Sequence, residues 1–440
     1  MGKPMTTCRS FLDRGEHPFH FPPMPRISIA FAVTIIAGCL AASGAAMPDV
    51  NDLPLRTEMP DPLVMNDGIK VTNTTQWETR RVEIKSVLEY YSTGTMPPPP
   101  GNVMGHDLKS QLVADGKVNF RLVHLTFGPD EKLGFDVAIF IPAGSDGPFP
   151  TFVYIAFDPT PGTAVIPPTN SPATSTNGTS ARRRGSGSSP DPDAAARRFA
   201  PELDRGYAVV TYNYRETGDD NQAGLTNKFI AAYTNYDWHL EAAWAWSMSR
   251  VVDYLQTQPF ADKSKLIAIG HSRLGKATLI AGAFDDRFAM VAPAGSGAFG
   301  TGAFRFNGAT NGGKEGLDEI IKHFPYWVGP RLPEFSGQVY KLPFDQHWLI
   351  ALVAPRPLIS LEGIDDQYCN GNAFKESYMA ARPVYELLGA PNRLGFNFRP
   401  GTHMLAPLDW QAAMDFAGQQ LRGMDVGRVF DQLPPRKQLH

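Results

Sequence analysis

Cysteine is nearly absent from this 440-residue chain, which has only Cys8, Cys39 and Cys369. The first two lie in the leader described below, so Cys369 has no partner and an internal disulfide is excluded. The same shortage removes any cysteine-based zinc site. A surplus of charge is missing too: 41 Lys plus Arg against 44 Asp plus Glu leave a formal charge of -3. Nucleic acid is therefore not an expected partner, and no acidic excess points to disorder. Internal repeats are lacking. One long apolar run exists, residues 27–40, broken only by small residues and by Ser28 and Thr34. At roughly fourteen residues it is too short for a comfortable membrane span, and Met24-Pro25-Arg26 places a positive charge before it. Residues 1–46 thus read as a leader with a signal peptide. Ser43-Gly44-Ala45-Ala46 offers ordinary cleavage, whereas Ile36-Ala37-Gly38-Cys39 offers a lipobox that would leave a lipidated Cys39. Export to the periplasm or the medium is expected, with the anchor left open.

Apolar residues make up 42% of the chain and aromatic residues 11%, enough for a large core, while 41 glycines and 39 prolines favour many loops. Residues 47–80 are polar and read as a surface lead-in. The spacing predicts a first helix over 82–91, ended by Gly94 and the prolines 97–100. Short β-branched or aromatic runs at 120–127, 134–141, 150–156, 207–214, 266–270, 288–292, 357–361 and 394–399 read as strands. Helical patterns occupy 238–255, 276–283, 373–388 and 408–421. In the long 238–255 helix, Trp244 and Trp246 are expected in the core. Residues 158–192 collapse into Pro, Thr, Ser, Gly and Asn around Arg182-Arg183-Arg184, and read as a flexible insertion. One catalytic domain over 81–425 and a tail over 426–440 complete the plan. Strands alternating with helices predict an α/β fold, a mostly parallel central sheet with helices on both faces, of the α/β-hydrolase kind.

The chain is organised around Leu266-Ile267-Ala268-Ile269-Gly270-His271-Ser272-Arg273-Leu274-Gly275-Lys276. A buried strand, a serine two after a glycine and a helix build a nucleophile elbow, although the second glycine, Gly275, falls three after Ser272 instead of two. The alternative is an ordinary turn with Ser272 as N-cap. In α/β-hydrolases the acid and histidine follow the serine in chain order, each after a strand. Here Glu362-Gly363-Ile364-Asp365-Asp366-Gln367-Tyr368 follows one strand and Pro400-Gly401-Thr402-His403 follows another. His403 is the candidate base, and Asp366 is preferred over Asp365 as the acid that orients it.

Beyond the elbow, further stretches carry a resemblance. They are Asp285-Asp286-Arg287-Phe288, Phe324-Pro325-Tyr326-Trp327, Leu342-Pro343-Phe344-Asp345-Gln346-His347, Ala354-Pro355-Arg356-Pro357 and Pro383-Val384-Tyr385-Glu386-Leu387-Leu388-Gly389. Over roughly residues 80–420 the chain resembles the glucuronoyl esterases of carbohydrate esterase family fifteen, in their bacterial branch, which share the late second glycine. The resemblance implies that Arg273 serves the oxyanion through its N–H and guanidinium. It also implies that Lys276 and Glu315 hold sugar hydroxyls, that Tyr368 stands where a tryptophan packs on the sugar, and that Gln346 and His347 lie near the site in a binding or a supporting role. Two departures stand out. Gly295 occupies a place where some members carry the triad acid, and Tyr368 replaces the tryptophan.

The implied activity is an exported serine esterase cleaving the ester between (4-O-methyl)glucuronic acid of glucuronoxylan and lignin alcohols. No metal or organic cofactor is required, no partner protein is evident and a monomer is expected. An acetyl or cinnamoyl xylan esterase with the same triad is one alternative. A carbohydrate-binding protein that has lost turnover is another.

Overall fold

Strand residues alternate between two apolar layers. In the run ending at the elbow, Leu266 and Ala268 face one core cluster while Ile267 and Ile269 face the other. Both faces of these strands are buried, so their sequences read as continuous apolar runs rather than alternating ones. The computed structural model describes residues 47–163, 191–308, 313–369 and 371–432. The leader with Cys39, Arg182-Arg183-Arg184 with most of the expected insertion, and residues 433–440 lie outside them.

Among the described residues nine strands form one sheet: β1 Met104–Val113, β2 Val118–Phe127, β3 Leu133–Pro142, β4 Phe149–Ala156, β5 Ala208–Asn213, β6 Ala261–His271, β7 Phe288–Ala294, β8 Leu358–Gly363 and β9 Leu394–Arg399. Their order is β1-β2-β3-β5-β4-β6-β7-β8-β9. The first three neighbouring pairs are antiparallel and the other five parallel. The helices Leu240–Leu255, Arg273–Phe284, His347–Val353 and Gly371–Leu387 contribute to the core on one face. Pro192–Arg198, Ala200–Asp204 and Pro407–Arg422 contribute to the core on the other. This is the mostly parallel α/β-hydrolase architecture expected. Strands β5 and β6 flank β4 on opposite sides, so the chain reverses direction there. The crevice outside the carboxyl ends of β4 and β6 is where such sheets bind ligands.

Three expectations need correction. The first helix runs Thr74–Leu88, with the Asn73 side chain accepting from the Gln76 N–H at 3.0 Å. It continues as a π-helical turn, Glu89–Thr93, stopped at Gly94 with φ 74°. The lead-in 47–80 is not merely surface: Val50, Leu53, Leu63, Val71 and Trp77 are buried in the main core, and the Pro60 carbonyl accepts from the indole of Trp348 at 2.8 Å. Its apolar residues are too widely spaced to reveal a face locally; partners far along the chain bury them. The tail is also anchored, since Phe430 packs on Phe416 and its carbonyl accepts from the Phe396 N–H at 2.7 Å.

Strand β1 was not legible because it is a polar edge strand, exposed along nearly its whole length and carrying Lys109, a charge of the kind that discourages edge-to-edge pairing. The short helices Pro192–Arg198, Ala200–Asp204, Leu317–His323 and His347–Val353 likewise carried too few turns to show a period.

Candidate active site

Strand β6 ends at His271, and Ser272 turns the chain with φ 60° and ψ -128° before the helix Arg273–Phe284. A positive φ at a non-glycine residue is uncommon and strained, as the sharp turn of a nucleophile elbow requires. The Ser272 side chain makes no cap hydrogen bond to its helix. A Cβ at Gly270 would lie 2.4 Å from the Leu274 carbonyl oxygen and 2.5 Å from Thr278 Oγ1, so the turn closes only over glycine. The late glycine has its own reason. A Cβ at Gly275 would lie 2.8 Å from the Ala294 carbonyl oxygen, so Gly275 lets the helix press on the end of β7.

The loop after β9 brings His403 Nε2 to 2.8 Å from Ser272 Oγ. The loop after β8 brings Asp366 Oδ2 to 2.6 Å from His403 Nδ1. Asp366 Oδ1 accepts from the N–H groups of Tyr368 at 2.9 Å and Cys369 at 3.1 Å. Burial alone would raise the Asp366 carboxyl. The hydrogen bond and charge of His403, with those two N–H groups, outweigh it and hold the carboxyl below its usual range. Asp365 faces elsewhere, its Oδ2 accepting from the Gly401 N–H at 2.9 Å and its own N–H donating to the Gly401 carbonyl. A hydroxyl, an imidazole and a carboxylate are thus joined in one hydrogen-bonded line, an arrangement able to generate an alkoxide-like nucleophile near neutral pH.

The histidine loop is held by residues that carried no motif signal. Buried Arg399 donates to the carbonyls of Pro400, Thr402 and Met404 and to Asp409 Oδ2 at 2.6 Å. An arginine ending a strand and an aspartate in the next helix look ordinary in sequence. His271, next to the nucleophile, packs its ring 4.6 Å from that of His403. Burial, then the neighbouring His403, pushes the His271 pKa down to about 3, so it stays neutral.

Arg273 begins the helix, where first-turn N–H groups have no carbonyl to pair with inside it. Its guanidinium pairs with Asp220 and lies 4.7 Å from the Trp327 ring. Asp220, unremarked in the sequence, also accepts from Trp327 Nε1 at 2.9 Å and from the Tyr214 hydroxyl at 2.8 Å. A mouth of about 490 Å³ opens above Ser272 and His403, with Arg273, Glu315, Tyr368 and Trp327 in its walls. Lys314, Glu319, His323 and Phe324 also line it, and only the motif Phe324-Pro325-Tyr326-Trp327 pointed to any of them.

Lys276, expected to point to the mouth, does not line it. It is buried, and its ammonium donates to the carbonyls of Ser296 at 2.7 Å and Ala298 at 2.6 Å and to Glu315. All three donors of the ammonium are used inside the protein, so Lys276 fixes Glu315 rather than meeting a sugar directly. Gln346 and His347 are also corrected, since both are fully buried away from the mouth. His347 Nε2 lies 2.7 Å from the Pro60 carbonyl, and burial pushes its pKa down to about 4. His347 thereby anchors the lead-in, whereas both polar side-chain atoms of Gln346 are buried without a hydrogen-bond partner among the described residues.

Gly295, where some relatives were expected to carry the acid, lies beside the same imidazoles. A Cβ there would be 3.4 Å from His271 Nε2 and 3.5 Å from Asp366 Oδ2. An acid from β7 and one from the β8 loop would compete for one space, and here Asp366 fills it.

Below this point Glu362 is buried and accepts from Ser360 Oγ at 2.6 Å. Burial, the largest influence, pushes its pKa up to about 8 from 4.5. The folded state therefore holds a proton that the unfolded chain has released, and stability falls as pH rises between these values. In denaturant titrations, Glu362→Gln, neutral throughout, is expected to lose markedly less stability than the parent chain on going from about pH 5 to about pH 8. Equal losses would contradict the assignment.

Residues 193–389 match the family model described as "Glucuronyl esterase, fungi". The chain is 30% identical over 398 residues to a carbohydrate esterase from an unknown prokaryotic organism, covering 83% of this chain and 90% of the relative. It is 29% identical over 354 residues to a 4-O-methyl-glucuronoyl methylesterase of Phanerochaete carnosa, covering 77% of this chain and 74% of the relative. Among solved structures, a promiscuous family 15 esterase from a marine bacterial metagenome superposes with a TM-score of 0.69 at 28% identity, over 84% of this chain and 99% of the other. A glucuronoyl esterase from Solibacter usitatus superposes at 0.71 and 25% identity, over 84% of this chain and 100% of the other. By its fold, its elbow and these relatives, the chain belongs to the glucuronoyl esterases, carbohydrate esterase family 15.

Proposed function

We propose that this esterase cleaves the ester joining (4-O-methyl)glucuronic acid of glucuronoxylan to lignin alcohols, with Ser272, His403 and Asp366 as its triad. The observation that carries the reading is the unbroken line from Ser272 Oγ through His403 to Asp366 at the floor of a mouth walled by Glu315 and Tyr368. Ser272 Oγ attacks the uronate carbonyl while His403 Nε2 takes its proton, and Asp366 stabilises the imidazolium. The Arg273 N–H, with the guanidinium held near by Asp220, faces the charge that develops on the oxygen. Removing one such donor typically costs about a hundred- to a thousandfold in kcat. His403 then protonates the departing alcohol, and water repeats the sequence to release the acid. Export through the leader 1–46 and a monomeric state belong to the same reading, the first supported by the apolar run 27–40.

The internal engagement of Lys276 favours a second reading, an esterase of wider range that also takes acetyl or cinnamoyl esters. Family membership and the hydrogen-bonded line weigh against a binding protein without turnover. The test is hydrolysis of a benzyl ester of glucuronic acid beside 4-nitrophenyl acetate. A strong preference for the uronate ester is expected. Glu315→Ala should raise KM for that ester by roughly tenfold, the size of one lost hydrogen bond to a charged group, and leave the acetate unchanged. Turnover of the acetate alone would replace the first reading with the second.

A further inference from the structure

The thiol of Cys369 lies 3.8 Å from His403 Nδ1 and 3.0 Å from the Gly295 carbonyl oxygen. Together Cys369, His403 and Asp366 present one sulfur, one ring nitrogen and one carboxylate oxygen, all within 4.8 Å of one another. Counting cysteines in the sequence left no zinc site built on them, but the fold supplies the other two ligands. We propose that this trio is an inhibitory site for a soft divalent cation such as zinc, bound at His403 Nδ1. The proposal rests on the reading of His403 as the base.

Tetrahedral zinc with bonds of about 2.0–2.3 Å keeps its ligands roughly 3.3–3.6 Å apart. The sulfur and nitrogen are already close to that spacing, and the 2.6 Å between Asp366 Oδ2 and His403 Nδ1 must open by less than about 1 Å. An ion has a route in, because Cys369 and His403 both line the mouth.

Inhibition follows from the tautomer. In the active line Nδ1 carries the proton toward Asp366, and Nε2 offers its lone pair to Ser272. A cation on the Nδ1 lone pair displaces that proton, which returns to the ring at Nε2. The thiol loses its proton to solvent as the sulfur–metal bond forms, so one proton leaves per ion bound. Nε2 then donates to Ser272 Oγ instead of accepting from it, and the base is lost while the pocket stays intact.

The experiment uses the full chain carrying Cys8→Ser and Cys39→Ser, so that Cys369 is the only thiol. Zinc chloride is titrated into the ester assay. Cadmium chloride is titrated separately while the ultraviolet thiolate-to-cadmium band is followed without substrate. Expected are inhibition reversed by a chelator, a cadmium band saturating at one equivalent, and in Cys369→Ser loss of the band with an inhibition constant at least about tenfold higher. Each variant is referred to its own metal-free rate. Undiminished inhibition in Cys369→Ser, no cadmium band, or a band without inhibition would each overturn the proposal. The band needs no turnover, so it stands or falls separately from the substrate assignment.

Discussion

Ser272→Ala is expected to lower turnover of a benzyl ester of glucuronic acid by at least about a thousandfold, with KM little changed. Alanine keeps the Cβ and removes only the oxygen that lies 2.8 Å from His403 Nε2, so substrate still enters the mouth and no acyl-enzyme forms. The backbone at φ 60° is strained for serine and alanine alike, so stability changes little. Fold and activity therefore separate cleanly in this variant. An unaltered thermal midpoint with a collapsed kcat is the expected pair. Near-normal kcat would remove Ser272 from the chemistry and leave the strained turn without a catalytic explanation.

The second large effect is expected at Asp366, where Asp366→Asn should cut kcat by about a thousand- to ten-thousandfold. The carboxylate accepts from His403 at Nδ1, which leaves the Nε2 lone pair free for Ser272. An amide in its place can donate to Nδ1 and stabilise the wrong tautomer, while the volume at the site is almost unchanged. Asp365→Ala is the matched control. It removes a carboxylate that holds the Gly401 N–H, so it loosens the histidine loop without altering the tautomer. A loss of roughly tenfold at most is expected there, since one exposed hydrogen bond contributes about 1 kcal/mol. If the two variants lost activity equally, loop anchoring rather than imidazole orientation would be the function of this segment.

Particular elements show which information was local. Gly270, Ser272 and the helix after them announce the elbow, because the turn's steric demand falls on neighbouring residues. Strands buried on both faces read as apolar runs for the same reason. By contrast β1 escapes notice as a polar edge, and the lead-in hides its five buried apolar side chains among loop residues. Arg399 and Asp409 hold the histidine loop from within, yet neither residue type is unusual at the end of a strand or in the first turn of a helix.

Legible in the chain alone are the α/β class, the order of serine after β6, acid after β8 and histidine after β9, and the family. Those properties follow from patterns within a few residues and from the succession of elements. Long-range packing, by contrast, fixes which of two adjacent aspartates faces the imidazole, the engagement of Lys276 by Ser296, Ala298 and Glu315, and the interior placement of Gln346 and His347. The physical reason is the same in each case. A side chain's partners are set by segments tens to hundreds of residues away, and a buried polar group takes whichever complementary atoms the packed elements bring to it.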